Sequence, residues 1–370
     1  MISKRILWLL AGGLALPVLA ERAPKVEPIP RDSLEMVTGE VRLADTPESR
    51  APVLSFLDRA RSSYALRSAG QGYDLKVSFQ VDSGGVTAYD GVWQMEDLFD
   101  PQQGLRWTAT VAGGGYTITE ISSHGSLFAD GTPGPIPLRL QEARAALFGA
   151  IPAAANLERV TIRTSTGTFL GEPVTCALLS GARKKVSAAP GRRWMETEEC
   201  IDPQTGFLMV HSQAPGRYYA YDYRNAPQFA GHTFPRKVMV TEGGKIVSQI
   251  SVDSLEPLTN ADPNLFTPTD AMKARGRAVA MGGAEKLSRL VSPSRPGRGA
   301  RFHPVCVFGL VTDSGKLVDA HSLQPNDPYS GAAVAAANQM DFSPRPVPGE
   351  VRAPPRQHFV FIIERFVASQ

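Results

Sequence analysis

The sequence has little cysteine: three residues, Cys176, Cys200 and Cys306, in a chain of 370. No two of them stand at Cys-x-x-Cys spacing and no histidine lies at ligand spacing beside any, which excludes zinc-ribbon and thioredoxin-like chemistry. It has no His-Glu-x-x-His, no Gly-x-Ser-x-Gly and no phosphate-binding loop. Gly113-Gly-Gly115 precedes a strand rather than a helix, so it is a turn and not a nucleotide cradle. Ser123 and His124 are adjacent, a poor placement for a nucleophile and its base. Asp341 and Glu364 make paired acids only if the strand pattern around them is ignored. We therefore expect no catalytic residue, no metal ligand and no cofactor. A strong excess of one charge is also lacking: the net charge is +3, which argues against a dedicated nucleic-acid binder. Beyond the N-terminus, no apolar run is long enough to cross a bilayer.

The first 20 residues read as an export signal. Lys4 and Arg5 form a basic head, Ile6 to Leu16 an apolar run, and Val18-Leu-Ala20 a small-residue cleavage site. Cleavage gives a periplasmic protein; retention of the segment gives a single-pass inner-membrane anchor. Residues 21–34 form a short extended linker, with the Pro-rich run Arg22 to Arg31. In an oxidising compartment Cys176 and Cys200, in neighbouring strand-like runs, are placed to form a disulfide. Cys306 is left over and reads as a buried free thiol.

Residues 35–270 carry a long series of strand signals interrupted twice by helix. Val53, Phe56, Leu57, Ala60 and Tyr64 recur at helical spacing, and Leu138 to Phe148 has a broad apolar side. Tyr73 to Val81 and Tyr116 to Ile121 alternate strictly, and turn residues bound each run as in an antiparallel meander. Two helices within such a meander suggest a curved sheet with helices on one side. Cys200 to Leu208, Phe234 to Val238 and Asp262 to Pro268 resemble the later strands and exit of the LolA-like lipoprotein-carrier fold. That resemblance implies an apolar cavity and a lipid ligand. Residues 271–301, rich in Lys and Arg and interrupted by Ser292-Pro-Ser-Arg-Pro-Gly297, read as a basic flexible linker.

Residues 302–370 begin with alternating runs on either side of Asp313-Ser-Gly315, a hairpin signal. The Ala-rich stretch Gly331 to Asn338 suits a small helix. A Pro-rich extended segment, Met340 to Gly349, and the apolar strand His358 to Phe366 follow. Val307, Val311, Asp313, Gly315, Val318, Ala332 to Ala337, Phe342, Pro344 and Gly349, with that last strand, resemble the C-terminal domain of TonB-like energy transducers. Phe302-His-Pro304 and Met340-Asp341 depart from the aromatic residues usual in that family. The expected fold class is thus α+β: a LolA-like sheet domain joined by a basic linker to a small TonB-like ββαβ domain.

By that resemblance the C-terminal domain acts as a binding adaptor. It adds a strand to a partner such as an outer-membrane transporter or another envelope protein, through an edge made by the final strand, with Phe359, Val360, Phe361, Ile362, Ile363 and Phe366, or by its neighbour. Pairing of two copies through such an edge is compatible with the same chemistry. The alternative function is a periplasmic lipid or lipoprotein carrier that works through the sheet domain. His321 and His358 read as exposed strand histidines rather than a functional pair.

Overall fold

The computed structural model describes residues 40–82, 89–134, 136–181, 191–275, 284–291, 302–342 and 357–367. The export signal, the linker that follows it, most of the basic tether and residues 343–349 of the Pro-rich segment lie outside the described residues. In chain order the first elements are β1 (Arg42–Ala44), α1 (Pro47–Ser63), β2 (Tyr73–Val81), β3 (Gly91–Asp100), β4 (Gly104–Val111), β5 (Thr117–Ser123) and β6 (Ser126–Gly131). Then come α2 (Leu138–Phe148), β7 (Val160–Phe169), β8 (Glu172–Gly181), β9 (Thr197–Ile201), β10 (Leu208–Ala214) and β11 (Arg217–Asp222). A minor hairpin, β12 (Gln228–Phe229) and β13 (His232–Thr233), precedes β14 (Lys237–Glu242), β15 (Lys245–Pro257) and α3 (Asp270–Arg275). The C-terminal elements are β16 (Glu285–Val291), β17 (Phe302–Val311), β18 (Leu317–Ser322), α4 (Ser330–Ala337) and β19 (His358–Val367).

Thirteen strands form one sheet in the order β1-β7-β8-β9-β10-β11-β14-β15-β2-β3-β4-β5-β6. Strict alternation in β2 buries Tyr73, Leu75, Val77, Phe79 and Val81 on one face and turns Lys76 and Gln80 outward. α1 opens with a capping box between Thr46 and Ser49 and with Pro47 at its first position, where a missing N–H is tolerated; Pro52 lies inside the helix and removes one ladder bond. α2 lies on the same face of the sheet: Tyr221 Oη donates to the Ala146 carbonyl at 2.9 Å, and the Arg144 guanidinium sits 4.2 Å from the centre of the Trp107 ring. Cys176 and Cys200 are directly opposite in β8 and β9 and form the disulfide. Among the described residues no helix is long and apolar enough to cross a membrane.

The expected α+β class is overturned. The chain is mostly β, with 49% strand against 19% helix, because the meander continues into one very large sheet. The ββαβ expectation fails as well. Glu285–Val291, taken from sequence as tether, is a strand that pairs in parallel with β19, giving a four-stranded sheet in the order β16-β19-β17-β18. Its alternation was hidden by its charge. Leu287 and Val291 pack on the core, while Arg289 donates to the Glu364 carboxylate at 2.8 Å. As a result β19 is an interior strand, hydrogen-bonded to β16 on one side and β17 on the other. The predicted edge of Phe359, Val360, Phe361, Ile362, Ile363 and Phe366 is therefore buried and has no free edge to lend.

Period-two alternation gives this small sheet two apolar faces. Val305, Val307, Val360, Ile362 and Phe366 pack against Ala333 and Ala337 of α4. Cys306, Phe308, Leu310, Phe359, Phe361 and Ile363 pack instead against Leu138 and Ala214 of the large sheet unit. The two sheets thus meet across a shared core beside the N-terminal end of α2.

Candidate functional site

The junction between the sheets is charged as well as apolar. β11 runs Arg217, Tyr219, Tyr221 on the helix-bearing face, so the alternation that buries two tyrosines also buries an arginine. α2 contributes Arg139 and Glu142, three residues apart and both buried. β14 contributes Glu242 at its end. Arg139 donates to Glu242 through both terminal nitrogens, at 2.7 and 3.0 Å, and to Glu142 at 3.0 Å. Arg217 Nε donates to the same Glu242 oxygen at 2.9 Å, and its Nη2 to Glu142. Tyr219 Oη accepts from Arg217 at 2.6 Å and donates to Glu142.

The small sheet closes this network from its own side. The Arg217 guanidinium lies 4.4 Å from the centre of the Phe308 ring and 5.0 Å from that of Phe359. His321 Nε2 lies 2.9 Å from Glu242 Oε2, and Asp319 lies 3.5 Å from Arg139. Asp319 stands at φ 52° in a bulge of β18 opposite Gly309. Its left-handed backbone re-aims the carboxylate toward Arg139.

Burial disfavours every charge here, and the partners decide the outcome. Burial pushes the Glu242 carboxyl up, but Arg139 and Arg217 outweigh it and hold the group well below the usual carboxylate range. Burial raises Asp319, with Arg139 and His321 pulling the other way. Burial would lower His321, yet its bond to Glu242 leaves it above the ordinary imidazole value. Nearby, burial and then Arg192 bring the Lys286 ammonium down to about 8, while burial pushes the Cys306 thiol up to about 12.

A second charged set anchors the other end of α2. Arg144 donates to Glu120 at 2.6 Å, and buried Asp97 accepts from Tyr73 Oη at 2.8 Å and from Arg67 at 3.3 Å. Between the two sets the helix-bearing face is apolar and aromatic. Trp93 stacks on Phe79 at 5.8 Å and meets Tyr116 at 5.6 Å, with Tyr89 5.3 Å from Tyr116. Trp107 Nε1 and Tyr116 Oη are buried on this face without a hydrogen-bond partner among the described residues.

Sequence reading placed Cys176 and Cys200 together, as observed. Ser123 Oγ does contact His124 Nδ1 at 2.8 Å, but in an exposed turn. His321 and His358 do not face each other: the first meets Glu242, the second Glu285 at 3.4 Å. Arg139, Glu142, Arg217 and Glu242 were missed. The available signal was a charge at an inward position of an otherwise apolar pattern, Arg217 before Tyr219 and Tyr221.

No protein-family profile and no curated protein matches the chain. Among solved structures, the LolA superfamily protein NE2245 from Nitrosomonas europaea superposes with a TM-score of 0.35 at 11% identity, covering 58% of this chain and 96% of that one. MucB superposes with a TM-score of 0.28 at 10% identity, covering 60% of this chain and 64% of its own. LprF from Mycobacterium bovis gives 0.24 at 9% identity, covering 58% and 97%. These are low-scoring likenesses in sheet architecture, and nothing further is drawn from them.

Proposed function

We propose that the chain is a non-enzymatic binding protein of the bacterial periplasm whose large sheet is the working part, carrying a lipid or the acyl portion of a lipoprotein. The observation that carries this reading is the aromatic wall of Phe79, Tyr89, Trp93 and Tyr116 on the helix-bearing face, with the Tyr116 hydroxyl in it and the Trp107 donor further along the same face. A buried donor without an acceptor is costly, by about 1–3 kcal/mol. A ligand with an apolar chain and ester or phosphate oxygens matches both features of that wall. The cross-strand disulfide supports an oxidising compartment, as does the basic head and apolar run of the N-terminus. The adaptor reading is weaker, because the final strand is interior and only its neighbour β16 or the far strand β18 is outermost.

The test is uptake of a fluorescent fatty acid by the delipidated full chain. Saturable binding that Trp93→Ala weakens supports the carrier reading. Absence of uptake, together with a native mass that carries no releasable lipid, sinks it.

A further inference from the structure

Both ring nitrogens of His321 face acceptors. Nε2 lies 2.9 Å from the Glu242 carboxylate, and Nδ1 lies 3.0 Å from the Asp319 backbone carbonyl. A carbonyl oxygen only accepts. Glu242 also takes hydrogen bonds from Arg139 and Arg217, so it is ionised and likewise only accepts. A neutral imidazole has one N–H and can satisfy one of these two contacts; the imidazolium satisfies both. The charge count agrees. Arg139, Arg217 and protonated His321 face Glu142, Glu242 and Asp319, three cations to three anions, with neutral Tyr219 between them. Loss of the His321 proton leaves one uncompensated negative charge in a buried site, an expensive condition.

The position of the pair gives this a consequence. Glu242 belongs to the large sheet and His321 to the small one, so their contact spans the junction. We propose that His321 is a proton-operated latch, which holds the four-stranded sheet against the helix-bearing face while protonated and lets it lift away when neutral. Released, His321 returns to the ordinary imidazole range and its proton no longer favours docking. For this pair docking is strongest below an ordinary imidazole value of 6.5 and weakens as pH rises through the higher value of the docked state; Lys286, held down at about 8 and bonded across the same junction to Thr197, opposes the trend only above that pH. The latch does not depend on which ligand the large sheet carries.

Cys306 supplies the readout. It is the free cysteine, fully buried on the junction face of the small sheet, while the other two are joined in the disulfide. The experiment measures the labelling rate of Cys306 by a dithiopyridine reagent in the full-length protein, from about pH 6 to about pH 9, across the imidazole range. Each rate is divided by that of the urea-unfolded chain at the same pH, which cancels the ionisation of the thiol itself. Tryptophan fluorescence, from a set that includes Trp93 and Trp107 of the large sheet, is followed in parallel. The relative rate should rise about tenfold for each unit by which docking raises the His321 value. His321→Gln should label quickly throughout and lose the pH dependence. A flat wild-type profile overturns the proposal, as does a rise that coincides with loss of the tryptophan signal, since the whole chain then opens. The wild-type profile decides the matter even where His321→Gln does not fold.

Discussion

Gly216, at the turn between β10 and β11, touches Leu323 of the small sheet: a Cβ on Gly216 would lie 2.6 Å from the Leu323 carbonyl oxygen. Gly216 also holds φ 86°, where a side chain is strained in itself. Gly216→Ala should therefore act as a wedge between the sheets. Gly70 offers a control, with φ 69° and nothing within 4 Å of its would-be Cβ. Both alanines carry the backbone strain, but only Gly216→Ala should speed amide exchange in β17 and β19. Equal exchange in the two variants would mean that the turn does not set the junction.

Arg217 is the other fixed point of that junction. Its removal leaves Glu142 buried with Arg139 alone, and Glu242 with Arg139 and His321. Arg217→Met should cost about 3–5 kcal/mol in urea unfolding, the usual penalty for breaking a buried pair. Removing a carboxylate as well, in Arg217→Met/Glu142→Leu, should recover part of that loss. A double variant less stable than the sum of both single variants contradicts charge compensation as the reason.

The pH optimum for stability should be mildly acidic rather than neutral. His321 stands above its ordinary 6.5, so its contribution is complete below that value and fades as pH rises. Burial outweighs every partner at Glu198, Glu199 and Asp319 and holds them above their ordinary values, so they too favour the fold as pH falls toward 4.5 or 3.8. Glu242 opposes them: its contribution is present above 4.5 and is lost as pH falls toward its depressed value. Urea midpoints should therefore peak between 4.5 and 6.5 and drop on the acid side. A midpoint that climbs steadily to neutral pH would show that other groups dominate.

Reduction of Cys176–Cys200 should destabilise the large sheet without undoing it. The bridge closes a loop with a sequence separation of 24, for which chain entropy predicts about 3 kcal/mol. The pair lies in a small apolar cluster with Val174 and Val210, apart from the junction. Cys176→Ala/Cys200→Ala should lower the urea midpoint yet leave Cys306 as protected as before. Faster Cys306 labelling in that variant would reveal coupling between the disulfide and the junction.

Local signals in the sequence carried much of the fold and little of the site. Alternation in β2 and the turns around each strand fixed the meander, and opposed strand-like runs fixed the disulfide. The junction could not be read this way, because its members come from α2, β11, β14 and β18, and no spacing along the chain links Arg139 to Glu242 or Glu242 to His321. The C-terminal unit was misread for a local reason. Lys286 and Arg289 looked like tether, yet one buries its stem to reach Thr197 and the other pairs with Glu364.

That misread strand yields the last expectation. Leu287 and Val291 are half-buried against the cluster under α4, and β16 is otherwise an outermost strand. Its hold on β19 thus rests on two apolar side chains, the Arg289–Glu364 and Glu285–His358 pairs and the parallel ladder. Leu287→Asp places a carboxylate on the apolar face beside Glu364, whose carboxyl burial already pushes up. The strand should then detach while β17, β18 and β19 keep their antiparallel pairing. In exchange measurements, the amides of β19 that face β16 should lose protection and those that face β17 should keep it. Uniform loss along β19 would instead make β16 a structural keystone of the small sheet, and uniform retention would make its pairing incidental.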